Sequence, residues 1–193
     1  MKKNGFTIIE VSILFVIFLI VAFLVVPLSL DDTRQAKNTS KWRSVQSDFS
    51  NIFYSINTAE NQEEVGFKDI FMKILEGDIK NEMNTYRITF MNGTYPNDTY
   101  RFKEFKNTYS NATLAIKLFE NPQNDLYGIL MYDVNGKNKP NVWGKDVFGM
   151  NIYKDKFEPF CKADSVSSQK QDCSKNGTGI CCSSYYLLGG NFD

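Results

Sequence analysis

The chain contains no histidine at all. That removes the commonest general base and the commonest metal ligand together. It also has no excess charge of either sign, with 22 basic and 22 acidic residues, so it carries no basic footprint for nucleic acid. There is no G-x-S-x-G, no H-E-x-x-H and no phosphate-binding P-loop. These absences disfavour an enzyme, and none is expected. Several N-x-[ST] triplets occur, such as Asn92-Gly93-Thr94, but asparagine is abundant enough for them to arise by chance. The 193 residues suffice for one domain with its own core plus a terminal segment.

The terminal segment is an apolar run. Phe6 to Leu30 contains no basic residue and a single acidic one, Glu10. About 22 helical residues cover roughly 33 Å, close to the hydrocarbon thickness of a bilayer. Lys2 and Lys3 precede the run, and Asp31 and Asp32 follow it. The lysines favour a cytoplasmic N-terminus with the bulk of the chain exported. A cleaved secretory signal fits poorly, because the run is long and flows into Pro27 and Leu28 with no small-residue cleavage site.

Glu10 is the informative residue. An acidic group within a bilayer costs roughly 2.5–3.5 kcal/mol at the centre on insertion scales, and less near the end of a span. The residues three and four positions either side of it are Phe6, Thr7, Ile13 and Leu14, none of them basic. A compensating charge can come from another chain or from processing. Cutting between Gly5 and Phe6 would create an α-amino group one helical turn from Glu10.

Gly5-Phe6-Thr7-Ile8-Ile9-Glu10, followed by an apolar helix and Pro27, resembles the leader of type IV pilins and type II secretion pseudopilins. The resemblance implies cleavage after Gly5 by an inner-membrane prepilin peptidase and N-methylation of Phe6. It implies that Glu10 neutralises the amino terminus of a neighbouring subunit during assembly. Asn4 stands where the family usually has Lys or Arg, and Lys2 and Lys3 keep the leader basic. The expected divisions are a leader over 1–5, a transmembrane and polymerisation helix over 6–30, and an exported globular domain over 31–193. The implied partners are other pilin subunits, the peptidase, an inner-membrane assembly platform and the membrane. The expected location is a single-pass inner-membrane protein that passes into a periplasmic or extracellular filament. A minor pilin, a pseudopilin of a type II secretion system, and a signal-anchored exported binding protein that never polymerises are the readings in competition.

Beyond the run, Trp42, Val45, Phe49, Ile52, Phe53 and Ile56 recur at spacings of three and four. This predicts an amphipathic helix over about 40–57 with its stripe facing a core. Pro27 is expected to kink or unwind the helix by removing a donor. Phe67 to Leu75, ended by Gly77, shows a second helical pattern. Strands are predicted at 86–90, 99–102, 113–119, 127–133 and 147–153, with Asn92-Gly93 as a turn between the first two. Helices first and strands afterwards predict an α+β fold, an antiparallel sheet packed on the long N-terminal helix.

The stretch from Asp133 to Phe148 collects turn formers and side-chain oxygens. Asp133, Asn135 and Asp146, with Asn138 and Asn141 nearby, are candidate calcium ligands. The D-x-N-G opening matches an EF-hand loop only in part, since its glycine comes early and the closing glutamate is missing. The alternative is a structured turn. Cys161, Cys173, Cys181 and Cys182 all fall at the C-terminal end. In an exported domain they predict disulfides. A bridge between adjacent cysteines is strained, so Cys161 and Cys173 should join the adjacent pair, in either order. The C-x11-C-x7-C-C spacing does not resemble a zinc ribbon. The resemblance to pilins implies that these bridges close an exposed C-terminal loop.

Overall fold

The structure, a computed structural model, describes residues 8–60, 79–102, 104–108, 110–154 and 156–191. The side chains of 24–31, 52–53, 55–60, 79 and 81 lie outside the described set. Gly5, Phe6, the second helical pattern at 67–75 and the side chains at the far end of the apolar stripe also lie outside it. The chain divides into two compact units, Met1–Lys37 and Asn38–Asp193.

Helix α1 spans Ile8–Glu60. It runs through Pro27 without interruption, so the expected unwinding is not found. A proline removes only one donor from the ladder, and the neighbouring bonds can still close. Within the second unit, α1 presents the first half of the predicted stripe. Trp42 and Phe49 are buried, and Val45 packs against the same cluster.

Six strands follow: β1 (Ile79–Asn84), β2 (Phe105–Thr108), β3 (Thr113–Gln123), β4 (Leu126–Asp133), β5 (Val147–Tyr153) and β6 (Phe157–Pro159). They form one antiparallel sheet in the order β1-β2-β3-β4-β5-β6. The fold is therefore α+β with an antiparallel sheet, as the element order predicts. The two strands β4 and β5 contribute to both faces. Leu130 and Tyr132 of β4, with Phe148, Met150 and Ile152 of β5, join Trp42 and Phe49 in one cluster. Ile129 and Met131 of β4, with Val147 of β5, join Trp143, Phe105 and Phe160 in the other. Alternate side chains of a strand point to opposite faces, so a strand covered on both sides reads as a continuous apolar run. Ile129-Leu130-Met131-Tyr132 is such a run. Gly149 leaves room for the Phe160 ring, which a side chain there would overlap.

Two predicted strands are not strands. Residues 86–90 make one isolated bridge, Thr89 to Val142. Their backbone bonds go to loops, as where Thr89 N donates to Asn141 O at 3.1 Å. Residues 99 and 100 belong to a turn that 101–102 follow, and the Lys117 ammonium donates to the Asp98 carbonyl beside them at 2.8 Å. Asn92-Gly93 does form a turn, with Gly93 at φ 81°, but it does not join two strands.

The C-terminal region is not simply an exposed loop. It contains α2 (Val166–Asp172) and α3 (Cys182–Tyr185). Ser183, Ser184 and Tyr186 are buried. The indole N–H of Trp42 donates to Ser183 O at 2.8 Å, and the Arg43 guanidinium donates to Tyr186 O at 2.8 and 3.1 Å. The Ser183 hydroxyl accepts from Gly149 N at 3.0 Å. Apolar rings at Tyr185 and Tyr186, and acceptors for the donors of α1 and β5, draw this segment into the core.

Candidate functional site

Three places hold the residues that the sequence singles out. The first is the start of α1. Ile8 is 86% exposed and Phe23 is 84% exposed, and the large apolar side chains between them are exposed as well. Glu10 lies among them and is itself exposed. The Ser12 hydroxyl donates to Ile8 O at 2.9 Å, so its polar group is satisfied inside the helix. Gly5 and Phe6 lie outside the described residues. Among the described residues no helix is long and apolar enough to cross a membrane. The expected span, 6–30, includes positions outside that set.

The second place is the turn between β4 and β5. Asp133 ends β4 and Asp146 directly precedes β5, so the antiparallel pairing brings them together with Asn135. Both aspartates are fully buried. Asp146 accepts from Val142 N at 2.7 Å, Asn141 N at 2.8 Å and Asn135 Nδ2 at 3.2 Å. Asp133 accepts from Asn135 N at 3.1 Å and from the Tyr86 hydroxyl at 2.8 Å. The turn is also tied to α1, where Lys41 Nζ donates to Val134 O at 2.9 Å and Asn38 Nδ2 to Lys145 O at 3.1 Å.

Calcium is held by oxygens. Its shell takes six to eight. Here every carboxylate oxygen of the pair already accepts from a donor of the protein. Asn135 Oδ1 is buried without a hydrogen bond. These contacts brace the turn on its own two carboxylates.

Burial pushes the Asp133 carboxyl up to about 8, with the charge of Asp146 adding to the shift. Burial also raises Asp146, to about 6, against the lowering effect of its backbone donors. Burial and the neighbouring Asp133 push the Tyr86 hydroxyl up. An acid raised in the folded state favours its protonated form there. The stability it contributes is fully present below its unfolded value near 3.8 and is lost as pH rises through the folded value. For Asp133 the window runs from 3.8 to about 8, and for Asp146 from 3.8 to about 6. No histidine titrates in that interval. The urea midpoint should therefore be higher at pH 5 than at pH 8.5, and Asp133→Asn should remove most of the difference. Equal midpoints for the unaltered protein at the two pH values would sink this account.

The third place is the cysteine cluster. The bridges are Cys161–Cys181 and Cys173–Cys182, with Cα separations of 5.1 and 5.0 Å. The adjacent pair thus reaches two different partners. Asp172 orders the turn between them, accepting from Thr178 N at 2.8 Å and Cys181 N at 2.9 Å. Cys161, Asp164 and Cys181 are close enough to hold a metal, but both cysteines are bridged and offer no thiolate.

No family model matches this chain, and no curated protein or solved structure shows significant similarity to it. Tyr86 is the participant that sequence reasoning missed. It lies 47 residues from Asp133, and no local signal links the two.

Proposed function

We propose that this chain is a structural subunit, a minor pilin, of a type IV pilus-like filament. The observation that carries the reading is the exposed apolar stretch of α1 from Ile8 to Phe23 with Glu10 within it. A large exposed apolar surface calls for lipid or another protein. In this reading lipid covers it in the monomer, and the equivalent helices of neighbouring subunits cover it in the filament. Glu10 then takes the amino terminus of a neighbour, freed by cleavage after Gly5, as its charge partner. The two disulfides fit export to an oxidising compartment. The globular unit supplies the filament's outer surface.

Mass analysis of the N-terminus of the protein purified from cells should find N-methylated Phe6. Retention of Met1 would overturn the proposal. Glu10→Ala should leave export and folding unchanged. It should lower incorporation into sheared filaments by about tenfold or more, the effect of losing a charge-assisted bond of roughly 1.5–3 kcal/mol. Incorporation at the normal level would count against charge pairing.

A further inference from the structure

We propose that a cleft between residues 85–88 and 95–102 binds an oligosaccharide carrying ring carboxylates. The cleft is open and has a volume of about 530 Å³, within the usual range for ligand sites. Arg87 and Arg101 line it, and no carboxylate does among the described residues. Arg101 makes an ion pair with Asp98 at 3.6 Å, but the Asp98 side chain is 99% exposed. Such a pair is weak and yields to a better acceptor. Two exposed arginines lining one cleft of a chain with no net charge supply a subsite for carboxylate, which the planar fork of arginine matches.

The walls are aromatic and held in place. Tyr86 stacks on Phe105 at 4.3 Å, and its hydroxyl is engaged by Asp133. Tyr100 rests edge-on against Trp143 at 6.1 Å and Phe160 at 5.4 Å. Tyr95 is different, being 60% exposed, and offers its ring as a platform. A pyranose has a face of C–H groups that packs on such a ring and a rim of hydroxyls. Thr85 and the Tyr95 hydroxyl can meet that rim. A second cavity of about 740 Å³ shares Arg101 and Phe102 with the first. It adds Lys106 and Lys117 alongside Asp98 and Glu104, so the binding surface extends past one sugar ring. Single-stranded nucleic acid fits less well. It needs several exposed stacking rings along a basic track, and among the described residues Tyr95 is the only cleft aromatic exposed to that degree.

This inference does not depend on filament assembly. The test uses the full chain in neutral-detergent micelles, titrated calorimetrically with trigalacturonic acid. Saturable binding is expected, with maltotriose at least about tenfold weaker because it lacks the charged bonds. Arg87→Gln and Arg101→Gln should each weaken binding by about tenfold, and Tyr95→Ala should weaken it by a similar factor. These side chains are exposed, and an unchanged urea midpoint will show that each variant is folded. The proposal is overturned by absence of saturable binding, by equal affinity for maltotriose, by full affinity in the double arginine variant, or by tighter binding of oligo-dT.

Discussion

Trp42→Ala should lower the stability of the globular unit by about 3–5 kcal/mol, the usual cost of removing a buried large aromatic side chain. Trp42 is fully buried and stacks on Phe148 at 5.0 Å. Its indole N–H donates to Ser183 O at 2.8 Å, so the substitution also strands a buried acceptor. Total stabilities of roughly 5–15 kcal/mol make this a large fraction. Trp42→Phe separates the two contributions. It keeps most of the ring packing and loses the hydrogen bond, so its cost should be about 1–3 kcal/mol. Urea unfolding followed by Trp143 fluorescence reads both variants, since the chain has only two tryptophans. If Trp42→Phe costs as much as Trp42→Ala, the ring stack contributes little and the assignment of Trp42 as the anchor of α1 fails.

Removing the Cys173–Cys182 bridge should cost more than removing the Cys161–Cys181 bridge. Chain entropy alone points the other way, because the loops close over sequence separations of 9 and 20. That difference is only ~0.7 kcal/mol, on a scale where each bridge contributes about 2–4 kcal/mol. Burial opposes it and is slightly larger. Cys173 and Cys182 are 3% and 0% exposed, and both join the cluster that contains Trp42. Losing two buried sulfurs there leaves voids costing about 2 kcal/mol, at roughly 1 kcal/mol for each methylene-sized gap. In the other bridge Cys181 is buried too, at 8% exposed, but Cys161 is only half-buried and water fills much of the space its sulfur leaves, so that pair loses one such void and the packing difference is about 1 kcal/mol. Cys173→Ala/Cys182→Ala should thus unfold at lower urea than Cys161→Ala/Cys181→Ala. The reverse order would show that loop closure outweighs packing here. The greater exposure of Cys161 should also make its bridge the first reduced by dithiothreitol in the folded protein.

The parts of the fold legible in the sequence are those with a local period. Trp42, Val45 and Phe49 lie on one face of a helix, and three and four residues make one turn. Strands β3, β4 and β5 stand where runs of branched and aromatic residues predict them, and β5 has the predicted bounds. Where the period is short or polar the reading fails. β1, of sequence IKNEMN, and the three-residue β6 carry too little pattern to mark a strand. Tyr86 to Phe90 has the pattern, but its backbone pairs with a loop.

The candidate sites divide in the same way. The apolar run with Glu10 is visible as consecutive residues. The Asp133 and Asp146 pair is visible as a cluster of oxygens, yet its use as a turn brace depends on Tyr86 and on donors at 141 and 142.

Residue order by itself determined the α+β class, the core stripe of α1, the three strands from β3 to β5 and the exclusion of a bridge between Cys181 and Cys182. Tertiary structure alone decided the pairing of the four cysteines, the burial of Ser183 to Tyr186, and the closing of the β4–β5 turn on its own carboxylates. The first group follows from interactions between neighbours a few positions apart, which spacing records. The second depends on where distant segments meet, and spacing carries no record of that.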